Sequence, residues 1–126
     1  MTQLNGTIND FIQGDDLEIE RTVSSIPDGV LIDTAWFTVK RKFSDSDADA
    51  VISKEITSAL DTDGQITDTG VDGTGVIVFN LSPDDTASLT ALKQYVYSIK
   101  IRLNNSRVNT PEIGIIMSNP TARNGE

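Results

Sequence analysis

Tyr95-Val96-Tyr97-Ser98-Ile99-Lys100-Ile101-Arg102-Leu103 alternates without a break. Tyr95, Tyr97, Ile99, Ile101 and Leu103 fall on one side, and Val96, Ser98, Lys100 and Arg102 on the other. Successive side chains of a strand point to opposite faces, so this is a half-buried strand with an apolar inner face and a basic outer face. It reads as a central strand, with the rest of the chain folded as a sandwich around it.

Working outward, Asn104-Asn105-Ser106 supplies a hairpin turn, Asn being tolerant of left-handed geometry. Val108 to Met117 returns as the last strand, with Pro111 restricting its pairing to an edge or a bulge. Upstream, Val76 to Leu81 is a clear strand, and Ser82-Pro83-Asp84-Asp85 reads as a helix start. Ser82 can cap free N–H groups, Pro83 suits the first helical position, and the two Asp residues favour the positive end of the dipole. Leu89 and Leu92 are expected to anchor this short crossing to the core. Leu31 to Phe43 forms another strand. Facing Ala35, Phe37, Val39 and Phe43 inward leaves Trp36, Thr38, Lys40 and Lys42 outside, whereas the opposite phase buries two lysines at a cost. Leu17 to Val23 alternates with Leu17, Ile19 and Val23 inward, and Arg21, which breaks the series, is expected near a rim. Val51 to Leu60 is a weaker strand, and Ile66 forms a short one.

About seven closely spaced strands with one short helical crossing predict an all-β, immunoglobulin-like β-sandwich, with a small barrel or jelly roll as the alternative. Residues 1–13 are expected to form an N-terminal arm or edge strand, 14–118 the sandwich, and 119–126 a flexible tail, with fraying from Ser118 onward.

The 126-residue chain suits one core. No apolar run approaches the roughly 18 residues that span a bilayer, and Met1 to Asp10 does not read as a secretory signal. The absence of Cys and His removes disulfides, Cys/His metal sites and His-activated nucleophiles. The net charge of −9 repels nucleic acid, so neither a nucleic-acid nor a membrane partner is expected. Eight acids and one base, Lys54, lie between Asp45 and Asp72, which makes that loop-rich side negative.

Four quoted segments share an order with a known group: Gln13-Gly14-Asp15, Ala35-Trp36-Phe37-Thr38-Val39-Lys40, Tyr95-Val96-Tyr97, and Thr110-Pro111-Glu112-Ile113-Gly114. With Leu81 to Leu89, they make the chain resemble immunoglobulin-like domains of tailed-phage virion proteins, of the type at the N-terminus of baseplate upper proteins. The resemblance implies a non-enzymatic structural or assembly protein of the virion, assembled in the host cytoplasm. A tail, baseplate or fibre-attachment role fits it best. Capsid decoration is the alternative within that setting, and a carbohydrate-binding or adhesive domain the alternative outside it. The implied partners are other virion proteins and copies of itself, with no cofactor and no small-molecule ligand. The chain ends shortly after the resembling unit, so direct host-receptor recognition is not expected of it.

Few residues suggest chemistry. Asp61-Thr62-Asp63-Gly64 resembles part of a calcium loop, but Ala59 and Gly70 occupy the first and last ligand positions, so a solvated turn is the better reading. Asp45, Asp47 and Asp49 read as a soluble loop, and no catalytic residue or metal ligand is assigned. Tyr95 suits a tyrosine corner, its hydroxyl bonding a nearby turn, and Tyr97 is expected to pack against Phe37 and Phe79. The functional candidates are Trp36, Lys40, Lys42, Lys100 and Arg102. If their strands pair, they form one exposed, basic docking face for an acidic neighbour.

Overall fold

The computed structural model describes residues 4–120. Among them are eight strands: β1 (Leu4–Ile8), β2 (Leu17–Val23), β3 (Ile32–Lys40), β4 (Ile52–Ile56), β5 (Gly64–Asp68), β6 (Gly75–Leu81), β7 (Tyr95–Leu103) and β8 (Val108–Ile116). A five-stranded sheet runs β1-β8-β7-β3-β4 and a three-stranded sheet runs β2-β6-β5. All pairings are antiparallel except β1 with β8. Setting β8-β7-β3 against β2-β6-β5 is the immunoglobulin-like arrangement of an all-β sandwich.

β7 lies in the middle of the larger sheet, flanked by β8 and β3. All five of its inward residues are buried. Phe37 bridges the layers, its ring centroid 5.5 Å from Phe79 and 5.6 Å from Tyr97. Phe37 therefore stands between the other two rings as an aromatic centre, where each ring buries a large apolar area. The Tyr95 hydroxyl accepts a hydrogen bond from the Thr90 N–H at 3.0 Å, which closes a tyrosine corner.

Helix α1 (Pro83–Ala87) begins as its sequence directs. Ser82 Oγ accepts from the Asp85 N–H at 3.2 Å, while the Asp85 carboxylate accepts from the Ser82 N–H at 2.8 Å. This reciprocal capping box satisfies two otherwise free donors. Lys54 adds a third partner, with its Nζ 2.7 Å from Asp85 and 3.4 Å from Asp63. Burial alone would raise the Asp85 pKa, but Lys54 and the Ser82 N–H outweigh it and hold the carboxyl below its ordinary value. Burial would lower Lys54, yet Asp85 and Asp63 hold it above its ordinary value.

Several expectations change. β3 stops at Lys40, so Phe43 lies in the following loop and is 57% exposed rather than inward. Leu89 is buried, but Leu92 takes a left-handed φ of 63° and is 63% exposed. In the β7–β8 turn the positive φ belongs to Ser106 rather than to either Asn. Pro111 lies, as expected, in a bulge, where the partners of Ile99 and Ile101 skip from Glu112 to Asn109. A second bulge between Ile32 and Thr34 lets Ile32 stay buried while Asp33 faces outward.

Ser118 and Asn119 are hydrogen-bonded to the sandwich. Ser118 is buried, and its hydroxyl donates to the Leu89 carbonyl at 3.1 Å. The Asn119 side chain donates to the Asn9 and Phe11 carbonyls at 2.8 and 3.0 Å. Residues 121–126 of the expected tail, like residues 1–3 of the expected arm, lie outside the described residues.

Candidate protein-interaction face

β3 pairs with β7 so that Trp36 stands opposite Lys100, Thr34 opposite Arg102, and Lys40 opposite Val96. Trp36, Lys40, Lys100 and Arg102 therefore share the outer face of the five-stranded sheet. Lys42 does not join them on the strand, because it lies in the exposed loop after β3. Trp36 and Lys100 line a groove of about 310 Å³ with Thr38, Ser98 and Val108.

The row is less basic than its sequence implies, because acids fold against it. Lys40 Nζ lies 2.7 Å from Asp47, and the lysine holds that carboxyl below its ordinary pKa. Arg102 meets the bulge residue Asp33 at 2.9 Å, and its guanidinium carbon is 5.8 Å from the Trp36 ring centroid. Trp36 Nε1 donates to Glu55 at 2.8 Å. Among the described residues, Lys100 alone of the outer-face row has no carboxylate within 4.0 Å.

The inner face holds a polar group that the alternation gave no way to locate. Arg21 Nε lies 2.9 Å from Glu112 Oε1, and the Tyr97 hydroxyl donates to Glu112 Oε2. The Glu112 side chain is only 9% exposed and that of Arg21 34%, so the pair joins β2 to β8 across the sandwich edge. Arg21 is thus an inter-sheet tie rather than a bare rim charge. Burial pushes the Tyr97 hydroxyl up, and the hydrogen bond and charge of Glu112 push it further, so the phenol stays protonated as the donor. Gly6 passes directly over this pair, and a Cβ there would run into the Tyr97 hydroxyl and the Glu112 carboxylate. The only available signals were the parity of Arg21 within an apolar series and a Glu set between a Pro and an Ile.

The aspartate-rich loops are organised by their own contacts. Asp61 Oδ1 accepts from the Thr62 N–H at 2.6 Å, and Asp61 and Gly64 exchange two backbone hydrogen bonds of 3.1 Å. Asp63 faces Lys54, and Asp49 accepts from Ser46 at 3.0 Å. Among the described residues no group of three acidic side chains is arranged to hold a metal ion.

No family model matches the chain, and no curated protein shows a significant match to it.

Proposed function

We propose that this protein is a non-enzymatic structural or assembly component of a tailed-phage particle. It acts in the tail, the baseplate or fibre attachment, through contacts with other virion proteins and with copies of itself. The observation that carries this reading is the outer face of the five-stranded sheet, where a half-buried Trp36 and Lys100 share a groove. Tryptophan is enriched in protein interfaces and supplies a large apolar contact, while the Lys100 charge can orient an acidic partner. The four segments carrying the resemblance support the same reading, since three of them build β3, β7 and β8, the strands of this face. The non-enzymatic part is supported by Glu112, a buried carboxylate whose oxygens are already engaged by Arg21 and Tyr97. A general acid or base needs its oxygens free for substrate.

The test combines imaging of intact particles with a face variant. Trp36→Ala with Lys100→Glu should leave a folded monomer that no longer enters particles. Full incorporation of that variant, or density for the protein absent from the particle, counts against the reading. Density on the capsid shell would select decoration instead of a tail role.

A further inference from the structure

Cross-strand register gives the outer-face groove an ordered floor. Thr38 of β3 stands opposite Ser53 of β4 and Ser98 of β7, so three hydroxyls lie in one row across three strands. The next row, about 7 Å along the strands, is Glu55, Trp36 and Lys100. Val108 of β8, opposite Arg102 and 57% exposed, lines the groove beyond Trp36.

Most polar side chains of this face already have partners. Trp36 Nε1 donates to Glu55, Lys40 holds Asp47, and Arg102 is shared between Asp33 and Thr34. The indole is thus held in place before anything binds. Lys100 and the three hydroxyls differ: among the described residues, these side chains have no hydrogen-bond or ion-pair partner in the chain. Lys100 reaches Asp47 only as a distant charge, and Asp47 is open to water and taken up by Lys40. The groove lining therefore carries two ammonium groups against one carboxylate, on a chain whose net charge is −9. Four uncommitted donors around a net positive charge suit a carboxylate, which only accepts. Trp36 and Val108 beside them suit an apolar side chain.

The spacing fixes how these two groups connect. In an extended segment, alternate side chains face the same way about 7 Å apart, the step between the hydroxyl row and the Trp36 row. A second copy is a poor source for this groove, because two chains of net charge −9 repel one another. We propose that the groove takes an extended acidic segment of a different protein. One carboxylate accepts from Lys100 and from the Ser98 or Thr38 hydroxyl, while an apolar side chain two residues away covers Trp36 and Val108. This rests on the docking reading of the face and names what docks there.

Trp36 is the only tryptophan, so its fluorescence reads the groove directly. Heptapeptides selected on the full chain from a random displayed library should carry Asp or Glu two residues from Leu, Ile, Val or Phe. Synthesised singly, they should shift the Trp36 emission, and their binding should weaken as salt rises. Lys100→Gln should weaken binding about tenfold and Ser98→Ala about threefold, in line with a charged and a neutral hydrogen bond. Both positions face outward, so unfolding curves should match the parent. Lys100→Glu should turn the selection toward Lys or Arg peptides. Selected peptides without acids, peptides that leave the Trp36 emission unchanged, or peptides whose affinity survives Lys100→Gln would each overturn the proposal, as would a selection that yields none. Particles that take up the chain although no acidic peptide is selected would reject the acidic segment and keep the particle assignment. Acidic peptides bound at Trp36 of a chain found in no particle would keep the groove and reject that assignment.

Discussion

Two ion pairs of similar length occupy opposite sides of the larger sheet. Arg21–Glu112 spans 2.9 Å inside the sandwich edge, and Lys40–Asp47 spans 2.7 Å on its outer face. The Glu112 side chain is almost fully enclosed and also binds Tyr97, while that of Asp47 is open to water. Distance therefore says little about their worth. Solvent screens the outer pair, and its long side chains lose entropy on pairing. The inner carboxylate has little access to water, so losing its partners leaves a charge or donor unsatisfied.

The contrast can be broken most forcefully at Glu112. Glu112→Ile removes the acceptor for both Tyr97 and Arg21 and should cost about 3 kcal/mol in denaturant unfolding. A loss below about 1 kcal/mol would mean that the inner network is as weak as a surface pair. Tyr97→Phe keeps the ring against Phe37 and removes only the hydroxyl. It should cost about 2 kcal/mol, as expected for a hydrogen bond to a charged group.

The partly buried Lys54–Asp85 pair lies between these extremes and adds a pH dependence. Asp85 has a depressed folded pKa, so its contribution is fully present above the unfolded carboxyl value of about 3.9 and is lost as pH falls through the folded value. Lys54 is raised, so its contribution is present below about 10.4 and is lost as pH rises through the folded value. Lys54→Met should flatten both limbs of a stability-versus-pH curve by about 1 kcal/mol. Unchanged limbs would place the acid sensitivity elsewhere. The smallest effect belongs outside: Lys40→Ala should change unfolding free energy by less than about 0.5 kcal/mol. A larger change would show that the outer face stabilises the monomer.

The alternation of β7 made the fold legible, because a strand buried on one face must repeat its apolar residues every second position. The helix start was legible for a similar local reason, since Ser82, Pro83 and Asp85 act on backbone groups within one turn. The outward parity of Trp36 and Lys100 was legible too, but that they stand opposite each other came from the β3–β7 register. Local rules could not supply what crosses the molecule. Arg21 and Glu112 are 91 residues apart, and nothing in either neighbourhood names the other. Asp33 faces Arg102 only because a bulge interrupts β3, and Phe43 is outside because the strand ends three residues earlier.

By itself, then, the sequence determined the strands, their inner faces, the tyrosine corner and the helix cap. Each depends on periodicity or on groups a few residues apart. Tertiary structure alone decided which charges remain available, because pairing depends on distances set by sheet order, bulges and loop ends. It joined Arg21 to Glu112 across the sheets, tied Lys40 and Arg102 to nearby acids, and left Lys100, Phe43 and Val71 facing outward.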